Sequence, residues 1–139
     1  MRLHKEPFEL IQNGQKSIEL RLNDEKRQQI QVGDEIEFCL STEETKRLFC
    51  EVIALHHFPS FEVLYAYLPL SKCGYTDENI QTASPLDMEK YYAKEEQEKY
   101  GVLGIEIRKN NRQRLSENGR SFSLQRKRGT NYFLKLLEK

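Results

Sequence analysis

The chain has 139 residues, 37% of them apolar and 32% charged, and its formal net charge is zero. That length suits one compact domain able to bury its own core, and the composition is polar without being that of a disordered chain. No apolar run approaches the ~18 residues of a membrane helix, and the opening MRLHKEPFEL lacks the apolar centre of a signal peptide, so a cytoplasmic protein with no membrane partner is expected.

In chain order, EPFELIQNG reads as a short helix. Pro7 suits a first turn, Phe8, Leu10 and Ile11 form part of an apolar stripe, and Gly14 is a natural stop. SIELRL alternates, with Ile18 and Leu20 on one face and Ser17, Glu19 and Arg21 on the other. NDEKRQQIQ is a charged loop, and VGDEIEF is a turn leading into a strand. LFCEVIALHHF is an apolar strand with β-branched residues. SFEVLYAYL begins at Ser60, a helix cap. SPLDMEKYYAKEEQEKYG reads as one long helix, with Ser84 as cap, Pro85 in the first turn and Gly101 as stop. GVLGIEI is a closing strand. Strands and short helices without a βαβ rhythm predict an α+β fold: a small, mostly antiparallel barrel with flanking helices.

The charge is unevenly spread. Residues 1–107 hold twelve Lys/Arg against twenty Asp/Glu, a balance of −8, and residues 108–139 hold ten against two, a balance of +8. The expected organisation is therefore a domain over 1–107 and a basic extension over 108–139. Lys109, Arg112, Arg114, Arg120, Arg126, Lys127 and Arg128 are candidate phosphate contacts, whereas the apolar end NYFLKLLEK favours docking of the extension on the domain.

Lys16, Glu19 and Arg21 fall within six residues. On a strand, Glu19 and Arg21 share a face with Cβ atoms about 6.5–7 Å apart. Lining a cavity, the three offer an acceptor, a forked donor and a point cation, a set that reads a polar base edge and holds a phosphate. On an open sheet face the same pair is a surface salt bridge worth under about 1 kcal/mol. Elsewhere the signals are weaker. Cys39, Cys50 and Cys73 are far apart with no Cys-x-x-Cys spacing, and read as reduced structural thiols. His56 and His57 are adjacent, so a strand turns them to opposite faces and away from a shared metal. Tyr91 and Tyr92 read as packing residues and His4 as a lone histidine. No metal or cofactor is expected.

The stretch PFELIQNGQKSIELRLNDEKRQQIQVGDEIEF resembles the ASCH domain family of the PUA-like superfold. Gly14, Lys16, Glu19 and Arg21 match the family's Gly-x-Lys-x-x-Glu-x-Arg pattern, and Val32, Gly33 and Asp34 its Val-Gly-Asp turn. FPSFEVLYAYL and EKYGVLGIEI resemble its middle helix and closing strand, so the resemblance spans residues 1–107. It implies a small PUA-like barrel with a cleft lined by Lys16, Glu19 and Arg21, with Ser17 beside them, binding RNA or a nucleotide-like ligand. An alternative is a small hydrolase of a modified nucleoside or of RNA. Its catalytic residues would be Lys16, as base or electrostatic stabiliser, and Glu19, as acid/base, with Arg21 orienting the substrate. In the family's amidohydrolase members a lysine assists a threonine nucleophile and a distal glutamate completes the site. Lys16 matches that lysine, but Glu19 stands at the threonine position, and no motif selects a distal acid among Asp77, Glu78 and the acids near Glu95. A third alternative is a regulatory protein-interaction module.

Overall fold

A computed structural model of the chain describes residues 1–110. The expected docking of the basic extension falls on residues from 111 onward and lies outside the described residues. Among the described residues, five strands form one sheet in the order β1 (Arg2–Leu3), β3 (Glu35–Leu40), β4 (Glu43–Phe58), β5 (Val102–Lys109), β2 (Ile18–Leu22). β1 pairs with β3 in parallel and every other pairing is antiparallel. The sheet curls into a half-barrel, and helices α1 (Lys5–Gln12), α2 (Phe61–Tyr67) and α3 (Lys94–Tyr100) pack around it. This is the mostly antiparallel α+β architecture expected from the sequence.

The curl has a local cause. β4 is 16 residues long and pairs with β3 along its first part and with β5 along its second. Between Val52 and Ala54 the register shifts, leaving Ile53 as an extra residue. Such a bulge bends the strand and steepens its twist. β1 is a two-residue strand that the sequence does not announce. It is held by the Cys39 N–H donating to the Met1 carbonyl and the Ser41 N–H donating to the Leu3 carbonyl, each at 2.8 Å.

Two apolar clusters lie on the two faces of the sheet. Inside the curl, Ile36, Phe38, Leu48, Val52, Leu103 and Ile105 pack with Phe8 and Ile11 of α1. Outside it, Ile18, Leu20 and Leu22 of β2 pack with Phe61 and Leu64 of α2. Helix α2 starts as expected, with the Ser60 hydroxyl accepting from the Val63 N–H.

The single long helix expected over 84–101 is instead two pieces. A 3₁₀ stretch runs over Pro85–Lys90, headed by a capping box in which Ser84 and Asp87 satisfy each other's backbone region. The chain then breaks, and α3 begins at Lys94. At the break Tyr92 turns inward to stack on Phe61 at 5.7 Å between ring centroids. Glu96 then accepts from the Ala93 N–H and opens the new helix. An apolar contact outside the segment thus overrides its helix propensity. β5 runs to Lys109. Arg108 pairs there with Glu51 at 2.8 Å, and Lys109 donates to the Gln12 carbonyl at 2.9 Å.

Candidate functional site

β2 and β1 are the two edges of the half-barrel. Directly opposite residues of an antiparallel pair share a face. Glu19 faces Ile105 and Arg21 faces Leu103, so both side chains of β2 turn to the inner face of the curl. The Arg21 Nη2 donates to the Arg2 carbonyl of β1 at 3.2 Å, reaching from one sheet edge to the other. The alternation of SIELRL thus sends its apolar residues outward to α2 and its charged ones into the open seam.

Lys16 reaches the same place from α1. Its backbone N–H donates to the Leu10 carbonyl at 2.9 Å, just after Gly14 turns the chain at φ 89°. Its aliphatic stem passes Gly74, where a Cβ would lie 3.4 Å from the Lys16 Cδ. Ser17, by contrast, contributes backbone: its N–H donates to the Lys72 carbonyl and its carbonyl accepts from the Ile107 N–H.

Glu19 is 3% exposed. The Arg21 Nε donates to its Oε2 at 2.7 Å, and the Lys16 Nζ pairs with its Oε1 at 2.8 Å. Burial pushes the Glu19 carboxyl upward, but the charges of Lys16 and Arg21 outweigh it and hold the group at about 2. Burial acts to lower the Arg21 guanidinium, yet Glu19 and Tyr92 raise it above its ordinary value. The triad is one carboxylate clasped by two cations, with a net charge of +1.

Lys16, Glu19 and Arg21 all line one cavity of about 480 Å³. The rest of its wall carries residues that no sequence motif marks. Tyr65, Tyr75, Asp87 and Tyr91 also face it, and Tyr91 is 64% exposed. Tyr65 and Tyr75 meet edge to face at 5.9 Å, their hydroxyls are 2.7 Å apart, and Tyr75 donates to Asp87 Oδ2 at 2.6 Å. Asp77, Glu78 and Glu95 do not line the cavity, whereas Asp87 does. The one signal in the sequence is Asp87 at the third position after the Ser84 cap, and it marks a helix start rather than a site.

His56 pairs with Glu106 at 2.9 Å between β4 and β5, away from this cavity. Among the described residues no group of three or more His, Cys, Asp or Glu is placed to hold a metal ion. The three cysteines are buried and unbridged, and burial pushes Cys50 up to about 12 and Cys73 to about 11, which keeps both as inert thiols. No helix of the described residues is long and apolar enough to cross a membrane.

The ASCH domain model matches residues 1–110, and the chain belongs to this family, which is associated with RNA binding. The fold is similar to the crystal structure of hypothetical protein PH0355, at a TM-score of 0.62 and 31% identity over 79% of this chain and 96% of that one. It is also similar to the solution NMR structure of protein PF0455 from Pyrococcus furiosus, at a TM-score of 0.53 and 30% identity over 80% of this chain and 99% of that one. No curated protein matches the chain.

Proposed function

We propose that this ASCH-domain chain binds RNA or a nucleotide through the cavity at the seam of its half-barrel, with Lys16 and Arg21 holding a phosphate and Glu19 fixing both cations. The observation that carries the reading is the buried triad itself. Two cations and a carboxylate are held within 2.8 Å contacts on the wall of a cavity of about 480 Å³, where a surface salt bridge would be open to solvent. Desolvating charges is costly unless they are paired, and this set keeps N–H donors in excess after its internal pairing. Lys16 retains donors beyond its one contact with Glu19, and Arg21 retains donors beyond those given to Glu19, Arg2 and Tyr92. Donor excess in a concave site suits an anion or a carbonyl-rich edge. The exposed Tyr91 ring on the same wall supplies a face on which a base stacks.

The same geometry weighs against the hydrolase alternative. A carboxyl held at about 2 stays ionised and is a poor proton donor or acceptor near neutral pH, so Glu19 suits a clasp better than an acid/base. The test is equilibrium binding of short RNAs and nucleoside monophosphates to wild type, Lys16→Ala and Arg21→Ala. Each variant is expected to lose about 1–3 kcal/mol of affinity, the usual size of a charge-assisted hydrogen bond. Equal affinity in all three proteins would sink the reading.

A further inference from the structure

A second part of the cavity wall carries a hydrogen-bond chain with a fixed direction. Tyr75 donates its hydroxyl hydrogen to Asp87 Oδ2 at 2.6 Å, and Asp87 Oδ2 also accepts from the Ser84 N–H at 3.2 Å. A phenol has one hydrogen. Since Tyr75 commits its own to Asp87, the 2.7 Å contact between the two phenols must be Tyr65 donating to Tyr75. The Tyr65 oxygen then has no hydrogen left to offer and only accepts. Asp87 Oδ1 receives no hydrogen bond from the described residues and is likewise an acceptor. Burial, and then the bond to Asp87, push the Tyr75 hydroxyl well above its ordinary pKa, so it stays protonated and the direction of the chain holds. Tyr65, Tyr75 and Asp87 line the same cavity as Lys16 and Arg21. One region of the wall therefore accepts hydrogen bonds, and another donates them.

We infer that Tyr65, Tyr75 and Asp87 make this cavity select a nucleobase bearing an exocyclic amino group over one bearing a carbonyl at the same position, an inference that rests on the nucleotide-binding reading above. The phosphate or a carbonyl of the ligand meets Lys16 and Arg21, the planar ring lies near Tyr91, and the amino group donates to the acceptor chain. A carbonyl placed there would set oxygen against oxygen and leave acceptors unpaired in a confined space. Sites built around a hydrogen bond reject the analogue that cannot make it.

The experiment is calorimetric titration of the full chain with two pairs of nucleoside 5′-monophosphates that differ in this group: cytidine against uridine, and adenosine against inosine. In wild type the amino member of at least one pair is expected to bind about tenfold tighter, the size of one well-made hydrogen bond. Tyr75→Phe releases the Tyr65 hydrogen, so that hydroxyl donates as readily as it accepts, and the ratio should fall, with Asp87 alone still accepting. Tyr65→Phe removes one acceptor by a separate route and should also lower the ratio, with circular dichroism melts verifying the fold of both. A ratio near one in wild type overturns the inference. So does an unchanged ratio in both variants alongside weakened affinity in Lys16→Ala, a result that leaves the proposed function standing. Failure of all four nucleotides to bind overturns the inference and, with it, the mononucleotide arm of the proposed function, while binding of short RNAs tests the other arm.

Discussion

At Glu19 a single buried carboxylate lies between Lys16 Nζ at 2.8 Å and Arg21 Nε at 2.7 Å. Its removal would leave two cations confined without their counter-charge. Glu19→Gln is therefore expected to destabilise the fold by about 3–5 kcal/mol, the usual cost of breaking a buried pair, as read from the denaturant midpoint. The pH dependence has a defined sign. The folded carboxyl sits at about 2 against an ordinary 4.5, so the folded chain releases this proton more readily than the unfolded one. Its stabilisation is complete above pH 4.5 and is lost as pH falls from there toward 2. The difference in midpoint between wild type and Glu19→Gln should shrink across that window, and a constant difference would contradict the assignment. The charges of this site are legible in the sequence because alternation in SIELRL separates Glu19 and Arg21 from Ile18 and Leu20 onto opposite faces. Their pairing with Lys16 is less so, since it depends on where the turn after α1 delivers that side chain against Gly74.

The segment from Ser84 to Gly101 shows why an element's limits can escape a reading of its own residues. Its cap, its proline and its terminal glycine all sit where a continuous helix would have them, yet Tyr92 stacks on Phe61 and the helix breaks there. Gln97 secures the break. It is buried, its Oε1 accepts from the Phe61 N–H at 3.2 Å, and its Nε2 donates to the Tyr92 carbonyl at 3.3 Å. Gln97→Ala would strand both backbone groups, at a cost of about 1–3 kcal/mol in thermal or chemical denaturation. Tyr92 and Asp87 line the cavity from this segment, so nucleotide affinity should weaken along with stability. The strands are more readable, because a period of two survives wherever one face is apolar. β1, at two residues, is too short to show any period. Tyr75 lies in an irregular stretch without periodicity, and only the folded chain brings it to Asp87.

For the molecule as a whole, charge divides near the last described residue. Residues 1–110 carry fourteen Lys/Arg and twenty Asp/Glu, a balance of −6, and residues 111–139 carry eight and two, a balance of +6. A long RNA approaching the domain meets an acidic body around a cavity whose triad is +1. A mononucleotide has far less charge to repel and needs only the cavity, every lining residue of which lies between Arg2 and Tyr92. The two ligand sizes should therefore respond differently to a chain ending at Asn110. Mononucleotide affinity is expected to change by less than about twofold, which is within the few tenths of a kcal/mol that distant screened charges contribute. RNA affinity is expected to fall, and the slope of log affinity against log salt should flatten by about 0.7 for each single-strand phosphate that the shortened chain leaves unneutralised. Filter binding across a salt series measures the slope, and a melting curve of the shortened chain separates weaker RNA binding from unfolding. An RNA slope identical in the two chains would place the whole of RNA recognition within residues 1–110, and the +6 segment would then have no part in it.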